Sequence, residues 1–246
     1  MAGRGPEDDA LASQPTLSRF ENRVSAREVA KLNRLLVGHY IRLLGRHKPK
    51  EIILDVDPTD DPCHGHQQLA LFNGFYNQHP AFVRLRRTPA EQAMYFPLLV
   101  YERQSGLLLG ARLRAGNAHS ARGVRGFLKP IVRRVRKAFP KGKIIVRADA
   151  GFAVPGLYEF CEQRGLGYLI GMPTNAVFDE LTQWAVSWLS ERLAKDGKPH
   201  RWVGGFTHRA KSWSCSRRIL YKAEVNGEGT NRRFVVTNLP GHPRDL

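Results

Sequence analysis

Two short apolar runs, each closing on an aspartate, constrain this chain more than any other feature. EIILDVD (51–57) and KIIVRAD (143–149) have the length, the β-branched content and the turn-forming flanks of buried strands. In the first run Ile53, Asp55 and Asp57 fall on alternate positions. A side-chain period of two therefore puts both acids on one face. Asp149 ends the second run, and in α/β sheets ligands gather at the carboxyl ends of the strands.

The charge pattern sets these acids apart from the rest of the chain. Net charge is +17, from 39 Lys and Arg against 22 Asp and Glu, which favours a polyanionic partner. Between Glu51 and Val83 there is no Lys or Arg but five acids: Glu51, Asp55, Asp57, Asp60 and Asp61. Between Arg84 and Arg147 there are 16 Lys and Arg against Glu91 and Glu102, a balance of +14. Carboxylates that need cations, set in a basic surface that holds phosphates, suit a metal-dependent enzyme acting on nucleic acid. At 42% hydrophobic residues a core can form, which excludes a disordered basic tail. No apolar run reaches membrane-spanning length, and the polar N-terminus has no signal-peptide core. Cys63, Cys161 and Cys215 provide no disulfide framework and suit a reducing cytoplasm.

Along the chain, 1–19 reads as a flexible leader. Residues 20–45 read as a helix presenting Val24, Val29, Leu32, Leu35, Leu36 and Ile41. After the first strand, 58–80 is loop-like. YFPLLVYE (95–102) and LLLGARLRA (107–115) form two strands around a turn. The pattern of 120–139 predicts a helix, with Pro130 imposing a kink or a late start. Arg122, Arg125, Lys129, Arg133 and Arg136 line its polar face. A helix follows Pro155, GYLIGM (167–172) is a further strand, and a helix rich in apolar residues ends near Gly197. WVGGFTH, SCSRRILYKAE and RRFVVTNL then read as three strands. This order matches an α/β, ribonuclease H-like mixed sheet flanked by helices, with a β-rich insertion toward the C-terminus. The expected division is a core over 20–197 and the insertion over 198–246. In that fold the strand carrying the first acid lies beside the fourth strand. Asp57 and Asp149 would then meet although 92 positions separate them.

Metal-assisted phosphodiester chemistry needs two or three carboxylates converging from different elements. Asp57 is the favoured first ligand, Asp55 its alternative, and Asp149 the second. Each has a plainer explanation: an acidic turn before Pro62 for the first segment, a helix cap for Asp149. Lys211, Trp213, Arg217 and Arg218 combine aromatic and basic groups as nucleic-acid clamps do, although a Trp packed under a hairpin is the commoner source of that signature. The charges of the 120–139 helix fit a DNA backbone or a solvated face, and the lack of acids in that stretch favours DNA. Cys63, His64 and His66 are too tightly spaced for the usual tetrahedral zinc motif, and a loop role is preferred. Arg147 fits a phosphate contact or a strand-face charge.

Several segments in order, LASQPTLSRFEN, ILDVDPTDDPCHGHQQ, YFPLLVYE with GLLLGARLRAGNAHSA, VRADAGFAVPGLYEFCE, YLIGMPTN and RRFVVTNLPG, resemble the DDE transposases of bacterial insertion sequences. The resemblance runs from about residue 11 to the end. It implies Mg²⁺- or Mn²⁺-dependent cleavage and strand transfer on double-stranded DNA, at element ends and target, by a homodimer on paired ends. It also places the first two catalytic acids on Asp57 and Asp149. The family's third acid is a glutamate in a segment resembling Y–RG–EN–IKE, which this sequence lacks. The helical end-binding region before the leader is likewise reduced to ten residues, and 79–94 looks like an extra segment. A chain cut down at both ends is expected. A catalytically inactive form that binds only DNA or a full-length partner is one alternative. A ribonuclease H-like nuclease and a basic structural protein are the others.

Overall fold

The computed structural model describes residues 13–45, 47–63, 68–73 and 93–245. Helices α1 (Gln14–Asn22) and α2 (Ala26–Leu44) precede strand β1 (Glu51–Pro58). A small pair, β2 (Asp61–Pro62) and β3 (Met94–Tyr95), leads into β4 (Leu98–Glu102) and β5 (Leu108–Arg112). Then come α3 (Val124–Ala138), β6 (Lys143–Ala148), α4 (Pro155–Gln163), β7 (Gly167–Met172) and α5 (Ala176–Asp196). Strands β8 (His200–His208), β9 (Arg217–Asn226) and β10 (Gly229–Thr237) complete the order.

Eight of these strands form one mixed sheet in the order β5-β4-β1-β6-β7-β10-β9-β8. The first three strands of the large sheet are antiparallel, and β1, β6 and β7 run parallel. The first acid's strand thus lies beside the fourth, the ribonuclease H-like arrangement. The last three strands do not form a separate sheet. Strand β10 pairs antiparallel with β7, and the TN of VVTNL locks the joint. Thr237 Oγ1 donates to the Tyr168 carbonyl at 2.6 Å, Asn238 Nδ2 donates to the Leu166 carbonyl at 2.9 Å, and Asn238 Oδ1 accepts from Tyr168 N at 3.0 Å. The 197/198 boundary therefore marks a change of strand direction within one sheet, and a single hydrophobic core runs beneath both parts.

That core lies on one face. In β1 the even positions Ile52, Leu54 and Val56 are buried. They join Val37 and Tyr40 of α2, Phe127 and Ile131 of α3, Leu157 of α4 and Phe178 of α5 in one cluster. The odd positions, Asp55 and Asp57 among them, face the other way. Val235 and Leu169 lie on that same side in the neighbouring strands.

Three local expectations change. The leader contains α1 from Gln14, and a capping box starts α2 afresh: Ser25 Oγ accepts from Glu28 N, and Glu28 Oε2 accepts from Ser25 N at 2.7 Å. The single helix over 20–45 is thus two. The buried face of α2 also differs, since Val24, Val29, Leu32 and Leu35 are exposed while Val37 and Tyr40 are buried. Asn33 lies on the side of α2 that meets β5. Its amide donates to the Ala111 carbonyl at 3.1 Å and accepts from Ala111 N at 2.8 Å, satisfying edge strand β5. Finally, α3 starts at Val124 and runs through Pro130. Proline removes one helical hydrogen bond, and six buried apolar side chains of α3 hold it in place.

Candidate active site

The parallel pairing of β1 with β6 sets Asp55 opposite Arg147 and Val56 opposite Ala148. The next step along each strand is Asp57 and Asp149, on strands about 4.8 Å apart. Both carboxylates border a hollow of about 450 Å³ with Asp55, Arg147, Leu169 and Gly171. The Asp57 carboxyl is pushed above its ordinary range, first by burial, then by the charges of Asp149 and Asp55. A proton or a bound cation relieves like charges held together in this way.

Asp149 is also the cap that the plainer explanation expected. It precedes one turn of 3-10 helix, Ala150–Phe152, and its Oδ1 accepts from Gly151 N at 2.8 Å. A carboxylate has about four lone-pair sites, so the cap leaves acceptor capacity free. Two glycines let the turn sit here. A Cβ on Gly171 would lie 2.8 Å from Ala150 N and 3.1 Å from the Asp149 carbonyl carbon. A Cβ on Gly151 would lie 2.6 Å from Ser120 Oγ and 3.1 Å from Asp149 Oδ1. Ser120 thus stands immediately beside the Asp149 turn.

A buried arginine places Ser120. Arg114 Nε donates to the Phe96 carbonyl at 2.8 Å and Nη1 to the Ser120 carbonyl at 2.7 Å. Burial pushes this guanidinium down to about 10, and no ion pair offsets that cost among the described residues. Arg114 and Ser120 belong to the RLRAGNAHSA stretch, whose composition carried no chemical signal of its own.

Asp55 has a different role from its neighbour. Arg147 forks onto it, Nε to Oδ1 at 2.7 Å and Nη2 to Oδ2 at 2.6 Å, with Arg103 at 3.9 Å. Both oxygens accept from Arg147, so Asp55 is ion-paired and keeps fewer free lone-pair sites than Asp149. Arg147 is correspondingly an ion-pair partner on the strand face. Among the described residues no third Asp, Glu, His or Cys joins Asp57 and Asp149 as a metal-holding group. Cys63 is buried, and His64 and His66 lie outside the described residues.

The aromatic-basic segment 211–218 is corrected in most of its members. Trp213 is 6% exposed and Arg217 4%. Arg217 forks onto Glu162 of α4 at 2.8 and 2.9 Å and lies 5.4 Å from the Trp213 ring and 5.3 Å from the Tyr158 ring. This pair staples α4 to β9. Arg218 donates to the carbonyls of Leu239 at 2.8 Å and Gly241 at 2.6 Å, fixing the C-terminal segment. Lys211 is exposed. On α3, Arg125, Lys129 and Arg133 are exposed, as is Arg122 just before it, but Arg136 donates to the carbonyls of Arg164 and Gly165. Helix α3 covers the face of the sheet opposite the acids.

The whole chain, residues 1–246, matches the family model for the transposase DDE domain group 1. The chain belongs to that family. No curated protein matches it. Among solved structures it is similar to a piggyBac transposase in a synaptic complex with hairpin DNA, at 11% identity and a TM-score of 0.44. That match covers 95% of this chain and 41% of the other. A Mos1 transposase in a paired-end complex with the left transposon end matches at 12% identity and a TM-score of 0.29, over 73% of this chain and 56% of the other. This DDE-domain chain therefore spans about half the length of these relatives. No described helix is long and apolar enough to cross a membrane.

Proposed function

We propose that this DDE-domain chain carries the catalytic face of a bacterial insertion-sequence transposase, with Asp57 and Asp149 as two of its metal ligands. The observation that carries this reading is the pair itself. Two carboxylates end adjacent parallel strands on an open face of a +17 protein, and Asp57 titrates high, first through burial and then through the charge of Asp149. Oxygen donors at an open mouth suit a hard cation that keeps most of its waters, Mg²⁺ or Mn²⁺. Such an ion supplies the activation of a nucleophilic oxygen and the neutralisation of charge on the attacked phosphate. Asp57 and Asp149 hold the cation, the Gly151 amide fixes the Asp149 carboxylate, and the Asp55–Arg147 pair fills the rest of the floor. Double-stranded DNA, at element ends and target, is the substrate, and a homodimer on paired ends is the working form.

Mn²⁺ binding followed by the loss of the free-ion magnetic resonance signal tests the ligands without relying on turnover. Asp57→Asn and Asp149→Asn should each weaken binding by roughly tenfold or more, and both should abolish nicking of supercoiled plasmid. Wild-type Mn²⁺ affinity in both variants overturns the assignment.

A second reading is favoured by one observation, the lack of a third donor beside the pair among the described residues. In it the chain binds metal and DNA without cutting. Binding with no nicking by the wild-type chain selects it, and nicking without joining to a target selects a simple nuclease.

A further inference from the structure

Helix α2 carries more apolar surface than the core uses: Val24, Val29, Leu32 and Leu35 are 43% to 63% exposed. Val29 belongs to one wall of a groove of about 570 Å³ between α2, β5 and α3. That wall follows positions 26, 29, 30, 33, 34 and 37, the spacing of a single helix face. Phe127, Pro130 and Ile131 of α3 form the opposite side, with Leu113, 62% exposed, just past the end of β5. Gly110 lets α3 settle onto β5 here. A Cβ at that position would lie 2.9 Å from Phe127 Cζ and 3.1 Å from Ile131 Cδ1.

Four arginines line this apolar groove as well: Arg34 from α2, Arg112 from β5, and Arg133 and Arg134 from α3. Among the described residues none of the four is in an ion pair, and no Asp or Glu lines the groove. Arg134 reaches from α3 toward α2, with Nη2 4.0 Å from where a Cβ on Gly38 would lie. Its Nε is buried without a hydrogen-bond partner, a state that costs free energy until an acceptor arrives. Apolar surface among unpaired cations complements a helix with one apolar face flanked by carboxylates. The α2 wall is about 16 Å long, three turns of such a helix. A DNA backbone would use the arginines and leave Val29, Leu113 and Phe127 without a partner. A second copy meeting this face symmetrically would set these arginines against their own counterparts.

We infer that the groove between α2, β5 and α3 docks an acidic amphipathic helix of a partner protein. The apolar stripe of that helix lies on Val29, Leu113 and Phe127, and its carboxylates meet Arg34, Arg112, Arg133 and Arg134. The groove is on the helix-covered side of the sheet, so a docked helix leaves Asp57 and Asp149 open. The inference stands apart from what those two acids do.

The test is fluorescence anisotropy of the 246-residue chain with a labelled peptide of roughly 18 residues, long enough to form a helix. The peptide carries leucines at helical spacing and glutamates beside them. A second peptide of the same composition, its leucines scattered around the helix, should bind at least tenfold more weakly. Gly126→Trp puts bulk into the groove at a position where a Cβ meets nothing within 4 Å, and it should weaken binding of the first peptide at least tenfold. Arg34→Glu/Arg133→Glu should do the same. Lys195→Glu/Lys198→Glu, a charge-matched change away from the groove, should bind as wild type, and melting curves confirm that all three variants fold. Equal binding of the two peptides overturns the inference, as does wild-type affinity in both groove variants. If Gly126→Trp weakens binding of a random-sequence DNA duplex as much as binding of the peptide, the groove is a nucleic-acid surface and the inference fails. It fails too if the wild-type chain self-associates in sedimentation and Gly126→Trp abolishes this, because the occupant is then a second copy.

Discussion

Two carboxylates of this protein meet opposite fates. Glu162 receives the fork of Arg217 and the hydroxyl of Tyr168 at 2.9 Å, and its carboxyl is held low, chiefly by the hydrogen bonds from Arg217. Asp57 is held high, first by burial and then by the charges of Asp149 and Asp55. Glu162 lies among aromatic and basic residues in LYEFCEQR, whereas the EIILDVDPTDDP segment of Asp57 has neither. The difference is whether the fold supplies the counter-charge. Where it does, the group is a staple between α4 and β9. Where it does not, the carboxyl holds its proton more tightly.

The largest effect should come from breaking the satisfied pair. Arg217→Ala leaves Glu162 without its partner and opens space between Trp213 and Tyr158. A loss of about 3 kcal/mol in urea denaturation is expected, the lower end of the range for a broken buried pair because Glu162 keeps some solvent. A loss below about 1 kcal/mol would mean the staple is a surface contact. DNA affinity, compared at a temperature where the variant is folded, should be unchanged.

A middle effect tests the fork on Asp55. Arg147→Ala frees a third carboxylate beside Asp57 and Asp149, and Mn²⁺ should bind several-fold more tightly because the local negative charge rises. Weaker binding instead would show that Arg147 orients the pair rather than merely balancing Asp55.

The smallest effect is a stability change with a definite pH window. An acid raised by folding holds its proton more tightly in the folded state. Stability therefore falls as pH rises from the unfolded value, near 3.8, through the raised folded value, and is level above it. Without added metal, Asp57→Asn should melt roughly 1–3 °C higher than wild type at pH 7, and the gain should vanish below pH 3.8. Mg²⁺ should raise the melting point of wild type and not of the variant. A variant less stable than wild type at pH 7 would mean the Asp57 carboxylate is already compensated within the protein.

The central strands were legible because their signal is local. EIILDVD and KIIVRAD announce β1 and β6, and the period of two put Asp55 and Asp57 on one face, as found. The three C-terminal strands were equally readable from their alternation. Less readable was the face of α2, where Asn33 bonds to β5, 78 positions away. Trp213 and Arg217 misled for a similar reason. An aromatic beside an arginine looks the same whether it stacks on a base or on Tyr158, and the deciding residue, Glu162, is 55 positions distant.

By itself, then, the sequence determined the strands, the side of β1 that carries the acids, and the excess of positive charge. Those properties follow from periodicity and composition, which are set by neighbours along the chain. Only the tertiary structure decided that Asp57 and Asp149 stand together while Asp55 is paired with Arg147. It alone set α3 on the face opposite the acids. A charge is cancelled or left open by whatever packs against it, and in this sheet those partners come from strands and helices far away in sequence.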